Sequence, residues 1–179
     1  MFDIKQFSAD ISRRGVVKTS NFYMTMFSPL GMTSTSRNMT MRIKAVDIPG
    51  RSAQTVGHSH YGPSYHIATG SVFTELNVNI LLSEDHSEKE YFEKWMDLIL
   101  GDYRNATHNY DVGFYDDYKG GATITTVSDT GTILNSVKLI DCFPTAISNV
   151  NMDWESGNSL VILPITLNFH QYEDGNRIY

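Results

Sequence analysis

The clearest pattern in the chain is an alternation near its C-terminal end. From Val161, apolar residues fill every second position through Leu163, Ile165, Leu167 and Phe169, while Thr166, Asn168 and His170 fall between them. Successive side chains of a strand point to opposite faces, so this spacing predicts a strand with one buried face. Pro164 lacks a donor, which requires a ladder gap, a bulge or an edge at that point. Just upstream, Glu155-Ser156-Gly157-Asn158 has the composition of a turn. The same period of two recurs over residues 73–82, where Leu76, Val78, Ile80 and Leu82 oppose Glu75, Asn77 and Asn79. It predicts a strand over residues 21–27, closed by Ser28-Pro29-Leu30-Gly31, and another over 39–46. In the latter, Met39, Met41, Ile43 and Ala45 share one face and Thr40, Arg42 and Lys44 the other, up to Ile48-Pro49-Gly50.

A different period marks one helix. Tyr91, Phe92, Trp95, Met96, Leu98 and Ile99 form a broad apolar stripe that starts behind Ser87 and stops at Gly101. Ser87 followed by Glu90 reads as a capping box, and the Gly as the stop. Beyond the helix the pattern is irregular, with a strand expected around residues 111–115. Residues 122–127 and 133–140 then read as a hairpin joined by Ser128-Asp129-Thr130-Gly131. Two segments lack a core face of their own. Residues 1–15 place Phe2, Ile4, Phe7 and Ile11 at roughly helical spacing, predicting an arm or short amphipathic helix. Residues 51–71 are rich in Gly, Ser and His, too polar for a core and long for a simple connection, and read as a projecting hairpin.

Composition narrows the function classes. At 179 residues the chain suits a single domain able to bury a core without disulfides. The lone Cys142, flanked by Leu139, Ile140 and Phe143, reads as a buried small hydrophobe. No stretch approaches the roughly 20 apolar residues of a membrane-spanning helix. A net charge of −6 with scattered Lys and Arg gives no footprint for gripping nucleic acid. Chemistry is sparse as well. His58, His60 and His66 are the one metal candidate, but no carboxylate or Cys joins them at ligand spacing, and a polar loop is the preferred reading. Asp116-Asp117 and Asp153 with Glu155 are the closest acid pairs, and both lie in turn-like sequence rather than facing each other. Lys119-Gly120-Gly121 is too short to cradle a phosphate. Trp95 and Trp154 read as core or interface anchors. No catalytic residue, cofactor or metal is therefore assigned.

The order of these elements carries a resemblance. The strands over 21–27, 39–46 and 73–82, the helix over Ser87 to Leu100, and the closing Phe143-Pro144-Thr145, Asp153-Trp154 and strand to Tyr172 together resemble the tail tube proteins of contractile-tailed, myovirus-type bacteriophages. Phe73-Thr74-Glu75-Leu76 before the helix adds to it, and nearly the whole chain is covered. The resemblance implies a mainly β (α+β) fold, an antiparallel β-sandwich or barrel with one flanking helix. It implies a non-enzymatic virion protein assembled in the host cytoplasm, whose hexameric rings stack into the inner tail tube through which DNA is delivered. The implied partners are the chain itself, tail sheath, baseplate tube initiator, tail terminator, tape measure protein and transiently passing DNA, with no membrane insertion. Gly57, His58, His60, Tyr61 and Tyr65 of the hairpin, with Phe2 and Phe7 of the arm, are the candidate contacts between rings. Glu75, Asn77, Asn79, Thr40, Arg42 and Lys44 are the candidates for facing the lumen. The alternatives are a baseplate tube initiator, a type VI secretion-like tube protein of the Hcp kind, and a β-barrel ligand binder or enzyme.

Overall fold

The computed structural model describes residues 4, 8, 13, 17–31, 39–59, 61–101, 112–154, 157, 159–175 and 177–178. In chain order the strands are β1 (Phe22–Phe27), β2 (Ile43–Val46), β3 (Arg51–His58), β4 (Tyr65–Phe73) and β5 (Leu76–Leu81). Helices α1 (Ser87–Leu100) and α2 (Tyr115–Tyr118) follow, then β6 (Gly120–Val127), β7 (Ile133–Ile147), β8 (Ile162–Asn168), β9 (Gln171–Asp174) and β10 (Arg177–Ile178). All strand pairings are antiparallel.

The long strand β7 organises the molecule. Its first part pairs with β6 on one side and β9 on the other, while Phe143 to Ile147 pair with β8. Between them Asp141 adopts φ 53, and the His170 N–H donates to the Ile140 carbonyl at 3.1 Å. The ladder bends at that corner and divides the sheet into two layers. The first runs β1-β6-β7-β9-β10 and the second β7-β8-β5-β2. Their inner faces close on one cluster, with Met24, Ile124 and Leu139 from the first layer and Val78, Ile80, Leu163, Ile165 and Leu167 from the second. The alternation of β5 and β8 thus becomes a buried row and a polar row, as the period of two requires.

Helix α1 fills the same cluster with Tyr91, Phe92, Trp95 and Ile99. Trp95 stacks on Phe92 (ring centroids 6.3 Å, planes 11° apart), and its indole N–H donates to the Tyr118 carbonyl at 2.8 Å. The helix bounds and the Gly101 stop (φ 80) follow the sequence reading. Its N-terminus does not, because Ser87 makes no capping hydrogen bond and His86 is the cap residue, at φ 53. The loop is held instead by Glu88, whose carboxylate accepts from the Ser83 hydroxyl and, at 3.0 Å, from the Ser83 N–H. Glu90 turns outward to Lys94 at 2.8 Å.

Two further expectations are corrected, and a third is narrowed. The strand predicted over 39–46 begins only at Ile43. Met39 is buried and Met41 is exposed, the Arg42 N–H donates to the Met39 carbonyl in a turn, and a bulge between Ile43 and Ala45 shifts the alternation. The strand expected around 111–115 is irregular over 112–114 and becomes the helical turn α2. Of the three options open to Pro164, the structure takes the ladder gap, inside a central strand. Its carbonyl accepts from the Ser148 N–H at 3.0 Å, so its nitrogen faces the fraying end of β7, where one bond of the pair is absent. On the other side it sits opposite Asn79 without needing a donor.

Candidate functional site: the assembly surfaces

Strands β3 and β4 form a hairpin that leaves the layers and is exposed along both faces. Only Phe73, at its base, is partly buried, with its ring against Phe169 and Tyr172. Pairing places Val56 opposite Ile67 and His58 opposite Tyr65, so these four side chains share one face. The His58 and Tyr65 rings meet edge to face at 5.4 Å. Tyr61 (φ 48) and Gly62 (φ 143) make the tip, with Tyr61 fully exposed. Two strands alone are marginal in water, and an apolar row on an unsupported hairpin calls for a covering surface. Of the candidate contacts between rings, the hairpin brings Gly57, His58, Tyr61 and Tyr65 together. His60, Phe2 and Phe7 lie outside the described residues.

The candidate lumen residues do not form one group. Asn77 and Asn79 lie on the outer face of the second layer beside Thr166, whose hydroxyl donates to the Asn77 side-chain oxygen at 3.4 Å. Asn77 also donates to Asp47 at 3.3 Å. Lys44 is exposed on neighbouring β2, and Glu75 is exposed in the link between β4 and β5. Thr40 sits in the turn before β2, and Arg42 is drawn away to Glu88 at 3.4 Å. Asn77 and Asn79 therefore belong to a polar face, together with Thr166, Asn168 and the Asp47 carboxylate, while Arg42 belongs to the start of the helix.

A third surface was not grouped by the sequence. The connection from β7 to β8 exposes Met152, Trp154 and Leu160 and borders a cleft of about 800 Å³ that reaches Asn79, Ile162 and Pro164. The available signal was a tryptophan set between acids in a turn-like stretch, a poor place to bury it. Among the described residues the second layer also has open edges, β2 on one side and residues 143–147 on the other, since β6 pairs with β7 only as far as Cys142. Where β1 and β2 fail to meet, Phe22, Val46, Ile48 and Ile124 line a smaller cleft of about 360 Å³.

Asp116, Lys119 and Cys142 have structural surroundings. Asp116 pairs with Lys119 at 2.7 Å, a hydrogen bond that raises the Lys119 pKa, and Lys119 also lies 3.8 Å from Asp141 at the corner. Burial pushes the Cys142 thiol up to about 12, well away from nucleophilic character. Among the described residues no group of His, Cys, Asp or Glu has the arrangement of a metal site, and no helix is long and apolar enough to cross a membrane.

A family model described as phage tail tube protein matches residues 5–174. The chain belongs to the phage tail tube protein family. The tail tube protein gp19 of Enterobacteria phage T4 is 22% identical over 154 residues, spanning 86% of this tail tube chain and 89% of the relative. The gp19 protein of phage T6 matches to the same extent. The fold is similar to a chain of the PVC sheath-tube complex of an extracellular contractile injection system in its extended state. That match has a TM-score of 0.61 at 15% identity and covers 97% of this chain and 98% of the other. It is also similar to a chain of the tube-terminating cap of the anti-feeding prophage, with a TM-score of 0.61 at 13% identity over 92% and 93% of the two chains. The antiparallel sandwich with its flanking helix is therefore the tail tube architecture.

Proposed function

We propose that this chain is the structural subunit of the inner tube of a contractile phage tail, closing into rings that stack into a hollow conduit for DNA. The observation that carries the reading is the hairpin exposed on both faces, an element that gains its support from a neighbour. Ring closure joins the free edge of β2 to residues 143–147 of β7 in the next subunit, so that unpaired N–H and C=O groups meet across the interface. Such a contact uses two different surfaces and closes when the rotation per subunit permits. The hairpins, with the N-terminal arm, then hold ring upon ring. Sheath on the outside, and initiator and terminator at the two ends, are the partners that such a tube requires. Its work is physical rather than catalytic.

The polar outer face of the second layer, with Asn77, Asn79 and Thr166 beside the Asp47 carboxylate, is assigned to the lumen, where cations would retain phosphates. Residues that neither attract nor bury DNA let it slide. A baseplate initiator of the same fold is the second reading, and the near full-length match to tail tube proteins favours the tube. Negative-stain microscopy of the purified chain, across concentration and salt, tests both. Tubes growing with protein concentration are expected. Isolated rings at every concentration would favour the initiator, and discrete monomers throughout would overturn assembly itself.

A further inference from the structure

The hairpin and the Trp154 cleft stand at opposite ends of the second layer. Leu76 pairs with Leu167 at the end where β3 and β4 leave, whereas Leu81 pairs with Ile162 at the end where the β7–β8 connection enters. The two ends are separated by the length of β5, about 17 Å at the usual rise of a strand. Each end offers an apolar surface that its own chain leaves uncovered. At one end stand Val56, Tyr65 and Ile67, all about half exposed, and at the other Met152, Trp154 and Leu160. Trp154 is 102% exposed, so nothing in its own subunit shields the ring.

Charge separates the two surfaces in the same sense. Residues 51–73 carry Arg51 and no carboxylate, while residues 148–161 carry Asp153 and Glu155 and no Lys or Arg. Like surfaces would repel or ignore each other; these two are complementary in sign and alike in apolarity. Surfaces at opposite poles cannot meet within one subunit. They do meet when a second copy is displaced along the strand direction, and a contact of that kind repeats without closing.

We infer that the Trp154 cleft is the receptor for the hairpin of a second copy of this chain, with the Val56 and Ile67 row laid against Met152, Trp154 and Leu160. The inference rests on the stacked-tube reading and names the acceptor that the reading leaves open. Large aromatic anchors in a cleft are the residues whose truncation weakens an interface most. Trp154 supplies that anchor, and the cleft beside Ile162 and Pro164 supplies depth for the incoming strands.

Two measurements on the full chain test it. In Val56→Cys/Met152→Cys tubes, a short bis-maleimide should yield a ladder of covalent multimers on denaturing gels, absent from either single variant. The buried Cys142 stays silent in all of them. Trp154→Ser should keep the wild-type circular dichroism, because the ring has no intramolecular support, yet raise the concentration needed for tubes by about tenfold or more. Should the paired-cysteine variant fail to assemble, the Trp154→Ser concentration alone decides. Tubes that form without a ladder, or Trp154→Ser tubes at the wild-type concentration, overturn the receptor and leave the tube reading standing. A wild-type chain that never forms tubes overturns both.

Discussion

A carboxylate that is 2% exposed, as Glu88 is, survives only through its partners. Burial pushes its pKa up, the Ser83 hydroxyl and N–H and the Arg42 guanidinium pull it down, and the balance lies below the usual carboxylate value. A depressed folded-state pKa adds stability that is present above the unfolded value and is lost as pH falls through the folded one. Stability should therefore decline on acidification below about pH 4, and Glu88→Gln should flatten that decline. At neutral pH the same variant leaves a charge-assisted contact unmade and should lose about 1 to 3 kcal/mol in urea unfolding. An unchanged midpoint would show that the Ser83 loop is held by other contacts. Cys142 allows a simpler check. With its thiol pushed up to about 12 by burial, it should resist maleimide in the folded chain and react fully in denaturant. Cys142 was legible from its apolar neighbours, but Glu88 was not. In sequence it is one acid among several in a first helical turn, and its burial depends on Ser83 and Arg42 closing over it.

Elements whose faces are set by one sheet were legible, and elements shaped by the join between layers were not. Strands β5 and β8 alternate cleanly because each lies flat against the core, and α1 shows its stripe because a single face is buried. The break of β2 at Ile43 and the bend of β7 at Asp141 serve the closure of the sandwich, which no local pattern records. Gly120 belongs to this second class. A Cβ there would stand 2.3 Å from the Phe27 carbonyl oxygen and 2.9 Å from the Trp95 ring, so backbone as well as side chain must shift. Gly120→Ala should cost about 1 to 3 kcal/mol, read as a lowered urea midpoint with an unchanged slope. The hairpin gives the opposite expectation, since it contributes little to the core beyond Phe73. Replacing residues 58–65 by a short turn should shift the midpoint by less than about 1 kcal/mol while abolishing long tubes. Normal tubes from that variant would remove the hairpin from the axial contact.

For the whole molecule, the distribution of charge matters more than its sum. The chain carries a net charge of −6, and on the outer face of the second layer Asn77, Asn79, Thr166 and Asn168 are uncharged, with the Asp47 carboxylate 3.3 Å from Asn77 beside them. Family membership was readable from the order of elements, but the shape of the neighbouring strand was not, because the alternation that puts Thr40, Arg42 and Lys44 on one face is interrupted by the turn before β2 and by its bulge. If the face lines the conduit, side chains without positive charge serve transport, since each fixed cation would release counterions from a passing phosphate and hold the DNA for longer. Asn77→Lys/Thr166→Lys adds two cations per subunit at positions outside the core and outside the Trp154 cleft, repeated around and along the tube. Tails of normal length should therefore still form by microscopy, while DNA delivery in phage complemented with the variant should fall by about tenfold or more as retention accumulates over many sites. Asn77→Gln/Thr166→Gln, bulky but neutral, should deliver normally and so separates charge from crowding. Raising the salt concentration should also weaken the grip of the lysine tube on DNA in a retention assay, because the attraction is ionic. Normal tails with unimpaired delivery from the lysine variant would place this face away from the conduit, and the lumen would then be sought on another surface of the ring.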